Sequence, residues 1–530
     1  MTQFVPSIRM QGFLFGSLSG LLTAYAYIEQ RAWGLAFVSL VPLIFFILKT
    51  PRKQLRHCLA TTVFSYSILY YGPVLYWLYY LTPVIPLDGI LPKLAVTAAI
   101  GFIIVQNALA IWIVFQPLKY MKQGRAVTIL TFACLYILAE WMQQNFGLIT
   151  FPWTKLGLSV TRATTFIQSA SLFGCLFISF LLLLSNGLIA YTIWLLIALK
   201  KKKAIFVKKN SLIALVAVVV LLAGNWVFGV MSYRKEQQIQ AQEDIEILLV
   251  QGNHSGLNKW VTTTEQILED YINLTKKAIT PQTKLVIWPE TAVPVNLKQD
   301  MVMQSRLINL CKEYQVEMIV GEFDKSYIEE ELISYNAMYL ITEAGIVGEP
   351  YYKQKLVPFG EYLPFEKTLK KVAPSLVEML KEQLSDTPGN TTVLMSTSQG
   401  LVGGIICYES IYSGIARDSV KQGAKMLALI SNDSWFGYSA ALSQHHSQAI
   451  MRAVENRRYV VRASNTGITS IITSSGEVSE IIPVEQAATI HGTIAMRSDL
   501  SLYTQIGDII IIPCVLLWFF GIFKSKYCQH

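Results

Sequence analysis

The sequence predicts two fold classes in one chain: a polytopic α-helical membrane domain and an α/β domain outside the membrane. The 530 residues are 53% hydrophobic and 15% charged, with a mean hydropathy of +0.42, which is too apolar for an ordinary soluble protein. The long uncharged runs lie before residue 232 and near the C-terminus, whereas the region between them has the composition of a soluble protein. We therefore expect three regions, bounded at 1–232, 233–503 and 504–530.

Apolar runs long enough to cross a bilayer, which takes about 20 residues, occur at eight places. They are residues 11–28, 32–48, 58–82, 94–118, 126–146, 163–199, 211–231 and 504–523. Seven transmembrane helices are therefore expected in the N-terminal region, and a single transmembrane helix is expected in the C-terminal region. The run at 163–199 is too long for one straight span, so it holds either two helices or one helix with a preceding interfacial segment.

Basic loops set the orientation of these spans. The stretches KTPRKQLRH, PLKYMKQGRA and KKKKAIFVKK carry four, three and six Lys or Arg and no acidic residue. By the positive-inside rule all three face the cytoplasm, which requires 163–199 to cross only once. Both termini are then cytoplasmic, and residues 233–503 lie on the opposite side. The pI near 9.0 reflects this topology and gives no reason to expect nucleic-acid binding.

From residue 245 onward the chain alternates β-branched runs with helical stretches. The runs IEILLVQGN, KLVIWPE, EMIVGEF, AMYLIT, GGIICYES, MLALISND and YVVRASNTGITSII predict strands, and TTEQILEDYINLTKKAI and SQHHSQAIMRAVENRR predict helices. Near-continuous hydrophobic strands followed by helices favour a sheet that is buried on both faces. In such sheets catalytic residues collect where strands end.

Three polar side chains stand at or near such positions. Glu290 ends KLVIWPE, Lys353 lies in the loop YYKQKLVPFGEYLP, and Cys407 closes a strand. Each has an ordinary alternative: a solvated carboxylate, a surface lysine and a buried small hydrophobe. Together they offer a general base, a cation for an oxyanion and a nucleophile. We also expect the stretch after Cys407, SIYSGIARDSVKQG, to be a helix whose amides and dipole favour the thiolate.

The order of these motifs resembles a known family. Glu290 in WPE, Lys353 in YYKQKLVPFGE and Cys407 in CYES resemble the Glu-Lys-Cys triad of the nitrilase superfamily, whose members have an αββα sandwich fold. With its spans, the chain is similar over nearly its whole length to the apolipoprotein N-acyltransferases, which are membrane-integrated members. Further matching stretches are VQGN, LVPFGEYLP, SNDSWFG, MRAVENRR and ASNTGIT. The resemblance therefore implies a nitrilase-like αββα sandwich for residues 233–503.

The resemblance also implies a reaction. In that family the triad cysteine takes an acyl chain from a phospholipid as a thioester and passes it to the α-amino group of the N-terminal diacylglyceryl-cysteine of an apolipoprotein. Carried over by motif, Cys407 is the nucleophile, Glu290 the general base, and Lys353 the oxyanion and positioning residue. The implied setting is the bacterial inner membrane, with the catalytic domain on the periplasmic side and the protein acting as a monomer.

Further site residues follow from the same resemblance. Glu361, Tyr408 and Glu409 match positions that the family needs at or beside its active site. Trp260, in QGNHSGLNKW, matches a tryptophan on a loop near the lipid entrance of the family. The stretch FPWTKLG at 151–157 is expected on the outer side, either bracing the soluble domain from below or forming a simple interfacial loop.

No cofactor or metal is expected. The sequence has no phosphate loop or dinucleotide fingerprint in a strand-to-helix context. His445 and His446 are adjacent, so on a helix they cannot both face one metal, and they are expected to be structural or surface groups. Of the two cysteines in residues 233–503, Cys311 lies inside a helical pattern and is expected in the core.

Two other functions stay open. A membrane-tethered amidase or nitrilase-type hydrolase would form the same thioester and pass the acyl group to water, but it has no use for seven N-terminal spans. A transporter or a non-catalytic scaffold belongs to another class. Transporters place polar groups at the membrane midplane, where this chain offers little beyond Glu140 and Asp508.

Overall fold

The computed structural model describes most of the chain, in two compact units. The described residues are 6–85, 89–120, 124–147, 149–201, 209–240, 244–254, 263–293, 296–328, 331–372, 374–381 and 384–527. One unit comprises Met1–Tyr233 and Ile506–His530, and the other comprises Arg234–Gln505. These limits lie close to the boundaries expected at 232 and 503, while the assignment of the three regions to membrane and catalytic domains stays a prediction.

The helices of the described residues fall into both units. They are α1 Ile8–Ile28, α2 Val41–Lys49, α3 Arg52–Val74, α4 Leu91–Val114, α5 Arg125–Asn145, α6 Thr164–Ile167, α7 Ala170–Lys200, α8 Lys209–Gln240, α9 Thr264–Ala278, α10 Met301–Tyr314, α11 Glu366–Val372, α12 Pro374–Lys381, α13 Ser413–Lys421, α14 Ala441–Asn456, α15 Leu502–Ile506 and α16 Ile511–Tyr527. Short 3-10 helices at Gln30–Phe37 and Tyr76–Val84 continue the spans that contain α2 and α3.

The first unit is a multi-pass helical domain. Five described segments are long and apolar enough to cross a membrane, namely Gln30–Lys49, Leu91–Val114, Arg125–Asn145, Ala170–Lys200 and Leu212–Gln240. A sixth is reached when α3 and the 3-10 helix after it, which meet at a bend of 45°, count as one span. The apolar helix Ile511–Phe523 is shorter. The complete set of seven N-terminal spans and one C-terminal span stays a prediction.

The long run at 163–199 contains one long helix. The four-residue helix α6 precedes α7, which spans 31 residues. Near its start α7 is interrupted at Phe173 and at Gly174, whose φ is 75°. Glycine adopts this left-handed conformation without the clash that a Cβ would cause. Of the two expected arrangements, the structure has one long helix with a short segment before it.

The stretch FPWTKLG is buried inside the first unit, and both of its expected roles stay predictions. Lys155 in this stretch is 1% exposed. The hydroxyl of Tyr70 donates to the carbonyl of Thr154 at 2.9 Å, and the carboxylate of Glu140 accepts from the amide of Leu156 at 2.6 Å. Buried irregular backbone requires partners for its polar groups, and these side chains supply them.

The second unit contains the strands. They are β1 Ile245–Gln251, β2 Thr283–Ile287, β3 Glu317–Ile328, β4 Glu331–Thr342, β5 Gly345–Ile346, β6 Tyr351–Tyr352, β7 Leu394–Thr397, β8 Gly400–Ile406, β9 Met426–Ser431, β10 Val460–Ser464, β11 Thr469–Ile472, β12 Val478–Ile482 and β13 Ala488–Ile494. One sheet has the order β13-β1-β2-β3-β4-β5, with β6 paired to β4, and the other has the order β12-β11-β10-β9-β8-β7.

The two sheets pack face to face between outer helices, which gives the expected αββα sandwich. Alternate side chains of β1 point to opposite faces, as the pleat of a strand requires. Ile247 and Leu249 join Ile406 in the core between the sheets, whereas Leu248 packs with Tyr271 of α9 in the core outside the first sheet. Strands β1, β2 and β3 run parallel, as do β8, β9 and β10, so the carboxyl ends of β2 and β8 carry loops on which a site can form.

One stretch that was predicted as a single strand forms two strands in the structure. The stretch YVVRASNTGITSII forms β10 and β11, which pair antiparallel through Val460 and Ile472. Gly467 lies in the connection, where an added Cβ would come within 2.1 Å of the carboxylate of Asp433. The prediction of a single strand over this stretch is therefore wrong.

Candidate active site

Three elements bring the predicted triad together. Glu290 follows β2, Lys353 follows β6, and Cys407 follows β8. All three side chains are buried, with residue exposures of 5%, 0% and 8%. The solvated-carboxylate and surface-lysine alternatives are therefore excluded for Glu290 and Lys353.

The carboxylate of Glu290 is held at both oxygens. Its Oε1 accepts from the side-chain amide of Asn336 at 2.6 Å and from Nζ of Lys353 at 3.3 Å. Its Oε2 accepts from the backbone amide of Asn432 at 2.7 Å. Gly321 of β3 makes room for this arrangement, since an added Cβ would lie 2.8 Å from the Cα of Glu290. The carboxylate is therefore fixed in direction, as a general base must be.

The ammonium group of Lys353 lies between two carboxylates. It contacts Glu290 and donates to Oε1 of Glu361. Burial opposes the charged form, but the negative charges of Glu290 and Glu361 outweigh burial and hold the pKa of Lys353 well above its usual value. The lysine therefore keeps its positive charge in the core of the site.

The backbone of Cys407 is left-handed, with φ of 51°. This conformation costs a residue with a Cβ about 1–2 kcal/mol, so the surrounding structure must hold it. Cys407 begins a five-residue 3-10 helix, Cys407–Ile411, and α13 begins only at Ser413. The predicted helix over SIYSGIARDSVKQG is confirmed as α13, but the tight turn at Cys407–Ile411 separates the thiol from the amides at the start of α13.

The surroundings of Cys407 favour the protonated thiol. Burial is the main cause that raises the pKa of Cys407. The charge of Glu290 raises this pKa further, and the charge of Lys353 lowers it. The predicted stabilisation of a free thiolate by a helix is therefore not the dominant effect. A thiol in this environment reacts as a nucleophile only when a base takes its proton during attack.

Glu361 stands on a tight turn beside the triad. Its Oε2 accepts from the amide of Val357 at 2.9 Å, and its Oε1 accepts from Lys353. Burial raises the pKa of Glu361, and the charge of Lys353 acts against that rise. The structure thus brings Glu361 into contact with the triad, as the sequence motif indicated.

Glu409 ties the loop of the lysine to the strand of the cysteine. It accepts from the amide of Ile406 at 2.8 Å, from the amide of Gln354 at 2.5 Å and from the hydroxyl of Tyr351 at 2.8 Å. Burial raises its pKa to about 7, and these donors act in the opposite direction. Because Gln354 directly follows Lys353, the side chain of Glu409 fixes the distance between the two loops.

Tyr408 is buried next to Cys407 and packs edge-on against Tyr412, with ring centroids 5.5 Å apart. Its phenol oxygen lies 3.3 Å from that of Tyr412. Tyr408 is thus beside the site, as expected. Trp260 lies outside the described residues, so its role at a lipid entrance stays a prediction.

Sequence reasoning missed four residues that hold the site: Asn336, Asn432, Asp433 and His445. Asn336 and Asn432 bind Glu290, while the backbone carbonyl of Asn336 also accepts from the amide of Lys353 at 2.9 Å. His445 is fully buried, so the surface alternative for it is wrong. The matching stretch SNDSWFG was a signal for Asn432 and Asp433, but nothing in the spacing of Asn336 indicated a contact with Glu290.

Cys407, Asp433 and His445 place potential metal ligands within 4.8 Å of one another. The guanidinium group of Arg462 would repel a metal ion at this position. Its NH2 lies 2.6 Å from Oδ2 of Asp433 and 3.1 Å from Nδ1 of His445. The guanidinium group already neutralises the carboxylate. The cluster therefore has the character of an ion-pair network and not of a metal site.

Comparisons with known proteins agree with the fold. Residues 19–188 match the model of the apolipoprotein N-acyltransferase N-terminal domain, and residues 247–498 match the carbon-nitrogen hydrolase model. An apolipoprotein N-acyltransferase of Geobacter metallireducens is 30% identical over 515 residues, covering 96% of this chain and 94% of the relative. One of Methylococcus capsulatus is 32% identical over 391 residues, covering 72% and 71%.

The second unit is thus a carbon-nitrogen hydrolase domain with a buried cluster of Glu290, Lys353 and Cys407, in a chain whose first unit is a multi-pass membrane domain. The chain belongs to the apolipoprotein N-acyltransferase family. It is a membrane-embedded acyltransferase of lipoprotein N-acylation, and the hydrolase and scaffold alternatives have less support.

Proposed function

We propose that this chain transfers a fatty acyl chain from a membrane phospholipid, through a thioester on Cys407, to the α-amino group of the N-terminal diacylglyceryl-cysteine of apolipoproteins. The observation that carries the proposal is the buried pair of Glu290 and Lys353, whose charged atoms are 3.3 Å apart and both act on the thiol of Cys407. A base, a cation and a nucleophile in one water-poor site are what acyl transfer through a thioester requires.

In the first step, the carboxylate of Glu290 takes the proton of the Cys407 thiol as Sγ attacks the carbonyl carbon of a phospholipid ester. A C–S bond forms, and the ammonium group of Lys353 donates to the oxyanion that develops. Donors of this kind lower such barriers by several kcal/mol when they are fixed in advance. Collapse of the intermediate breaks the ester C–O bond, and the proton on Glu290 passes to the departing alkoxide of the lysophospholipid.

In the second step, the α-amine of the acceptor attacks the thioester carbonyl. Glu290 takes a proton from the nitrogen as the N–C bond forms, and the C–S bond breaks with return of a proton to Cys407. Glu361 balances the charge of Lys353 through both steps. Glu409 keeps the loop of Lys353 at a constant distance from the nucleophile.

The proposal includes a location. The basic loops support an inner-membrane protein with both termini in the cytoplasm, the catalytic unit in the periplasm, and residues 504–523 as a closing span. Trp260 would stand where acyl lipids enter the site. The protein is proposed to act as a monomer, with the phospholipid and the apolipoprotein as its substrates.

Intact-protein mass spectrometry tests the chemistry. The purified full chain is mixed with a phospholipid extract without acceptor, and any acyl mass is mapped by peptide. We expect one adduct on Cys407, with an equal amount of lysophospholipid, and discharge of the adduct by a synthetic diacylglyceryl-cysteine peptide. Cys407→Ala should form no adduct, whereas Cys311→Ala, which alters a buried cysteine of α10, should behave as the unchanged protein.

The same experiment separates transferase from hydrolase. Lysophospholipid that accumulates together with free fatty acid, while the peptide stays unmodified, would favour the hydrolase. Absence of both adduct and lysophospholipid would overturn the thioester mechanism.

Reporter fusions test the location. A reporter enzyme that is active only outside the cytoplasm is fused after residue 300, beside Met301, which is 66% exposed. It should be active, and the same reporter fused after Lys53 in the first basic loop should be silent. The reverse pattern would overturn the proposed topology.

A further inference from the structure

We propose that His445, oriented by Asp433, is a positioning residue for the nucleophile and fixes the peptide carbonyl of Cys407. This inference rests on the proposed role of Cys407. The Nε2 atom of His445 lies 3.0 Å from that carbonyl oxygen. A carbonyl only accepts hydrogen bonds, so Nε2 carries a hydrogen and donates it.

The second ring nitrogen of His445 also has close polar neighbours. The Nδ1 atom lies 3.1 Å from Oδ1 of Asp433 and 3.1 Å from NH2 of Arg462. Arg462 in turn donates to Oδ2 of Asp433 at 2.6 Å, and the side chains of His445, Asp433 and Arg462 are fully buried. The ring of Phe436 packs edge-on against the imidazole with centroids 5.4 Å apart. Both ring nitrogens and one ring face thus have fixed neighbours, which leaves the imidazole one orientation.

The carbonyl that receives this hydrogen bond belongs to a strained residue. Cys407 has a positive φ, a conformation that a residue with a Cβ does not hold without external contacts. The carbonyl carbon is bonded to the Cα that carries the side chain, so fixing the carbonyl restricts rotation about Cα. The direction of Sγ toward Glu290 and Lys353 therefore depends on the donor from α14.

Asp433 also approaches the nucleophile by a second route. Its Oδ1 accepts from the hydroxyl of Ser431 at 2.6 Å, and Ser431 follows Ile430, which pairs with Ile406, the residue before Cys407. The carboxylate of Asp433 is therefore connected to the carbonyl of Cys407 through His445 and to the neighbouring strand through Ser431. Such contacts restrict the position of one residue, and a misplaced nucleophile slows the reaction without weakening substrate binding.

The neighbouring histidine provides a matched control. His446 is also buried on α14, and its Nε2 lies 2.9 Å from the hydroxyl of Ser470 on β11. Replacing either histidine removes one buried imidazole from the same helix. A purely structural role predicts similar losses for the two replacements, whereas a positioning role predicts a loss of rate for His445 alone.

The test measures acylation of Cys407 in the full chain with a mixture of phosphatidylethanolamine and phosphatidylglycerol in detergent micelles. We expect His445→Gln to lower the maximal rate of adduct formation about tenfold, with an unchanged half-saturating lipid concentration, because misplacement acts on the reaction and not on binding. His446→Gln should stay within about twofold of the unchanged protein. His445→Ala should be slower than His445→Gln, because the Gln amide keeps a donor for the carbonyl.

Alkylation of Cys407 by iodoacetamide, followed at the peptide, gives a second readout that needs no lipid, and it should follow the same order. If His445→Ala does not fold, the acylation rates of His445→Gln and His446→Gln still decide whether His445 is a positioning residue. The melting temperatures of both variants are measured alongside, so that a difference in stability is recognised. Equal rates for both Gln variants, or an His445→Gln rate within about twofold of the unchanged protein, would overturn the positioning role. Absence of an adduct on the unchanged protein would overturn the proposed function, and this inference with it.

Discussion

The first unit buries Glu140 and the second unit buries Glu290, and the two carboxylates have different surroundings. Glu140 is 2% exposed and accepts from the backbone amide of Leu156, at the end of an irregular stretch. Glu290 is 5% exposed and accepts from a neutral amide, a backbone amide and the cation of Lys353. Glu140 holds a loop through a backbone amide, whereas Glu290 forms an ion pair with the buried Lys353.

The difference indicates what each acid must be able to do. An acid that only accepts a hydrogen bond can be replaced by an amide of the same shape, because the amide oxygen accepts as well. An acid that must gain and release a proton cannot. The same Glu→Gln exchange in the two units therefore separates structural burial from chemistry.

The largest effect is expected for Glu290→Gln. The amide keeps the shape of the side chain but cannot take the thiol proton, so thioester formation on Cys407 should fall about 10²–10⁴-fold. The rate of adduct formation measures this loss. Glu313→Gln, at an exposed ion pair with Lys276, is the surface control and should react as the unchanged protein. A normal yield of acylated Cys407 in Glu290→Gln would remove its role as base.

Lys353→Met should lower both rate and stability. It leaves Glu290 and Glu361 facing each other without a cation, and breaking such a fully buried pair costs about 3–5 kcal/mol. Thermal unfolding of the detergent-solubilised protein measures the stability, and mass spectrometry measures the acylation. Lys276→Met, which removes an exposed pair, should change stability by about 1 kcal/mol or less. Equal losses in the two variants would contradict the buried-charge argument.

A smaller and pH-dependent effect is expected for Glu409→Gln. Burial raises the pKa of Glu409 to about 7 in the folded protein, above its unfolded value. Its contribution to stability is therefore fully present below the unfolded pKa and is lost as the pH rises through about 7. The melting temperature of the unchanged protein should fall between about pH 5 and pH 8, and that of Glu409→Gln should fall less.

The quantity to compare is the difference in melting temperature between the unchanged protein and Glu409→Gln at each pH. This difference isolates Glu409, because other buried acids titrate in the same range. Burial raises the pKa of Glu322 to about 8, for example, and this group is present in both proteins. Parallel pH profiles for the unchanged protein and Glu409→Gln would contradict the assignment to Glu409.

The smallest effect on activity is expected for Glu140→Gln. The amide oxygen can still accept from Leu156, so the maximal rate of Cys407 acylation should stay within about threefold, with stability lowered by about 1–2 kcal/mol. The acylation assay and thermal unfolding measure both quantities. A loss of rate as large as that of Glu290→Gln would erase the distinction between the two buried acids.

Several features were predictable from the sequence because they depend on local pattern. Long apolar runs indicated the helical membrane unit, and β-branched runs followed by helices indicated the α/β unit. The motifs around Glu290, Lys353 and Cys407 indicated the candidate triad, which the structure brings to one place. Residue order alone carried these signals.

Other features were not predictable because they depend on contacts between distant residues. Asn336 and Glu290 are separated by 46 positions, and His445 and Cys407 by 38, so no spacing rule connects them. The adjacency of His445 and His446 argued against a shared metal but could not distinguish their partners. The tight turn between Cys407 and α13 was also not predicted, because a helical pattern does not reveal a left-handed residue before it.

The sequence by itself thus determined the two fold classes, the class of chemistry and the identity of the candidate reacting groups, since composition, periodicity and motifs are properties of residue order. Only the tertiary structure decided which groups are charged and how Cys407 is held. It also decided that Glu140 accepts a hydrogen bond from the backbone, whereas Glu290 pairs with Lys353. Those properties depend on burial and on distances of a few ångströms across separate elements, as in the contacts of Lys353 with Glu290 and of His445 with Cys407.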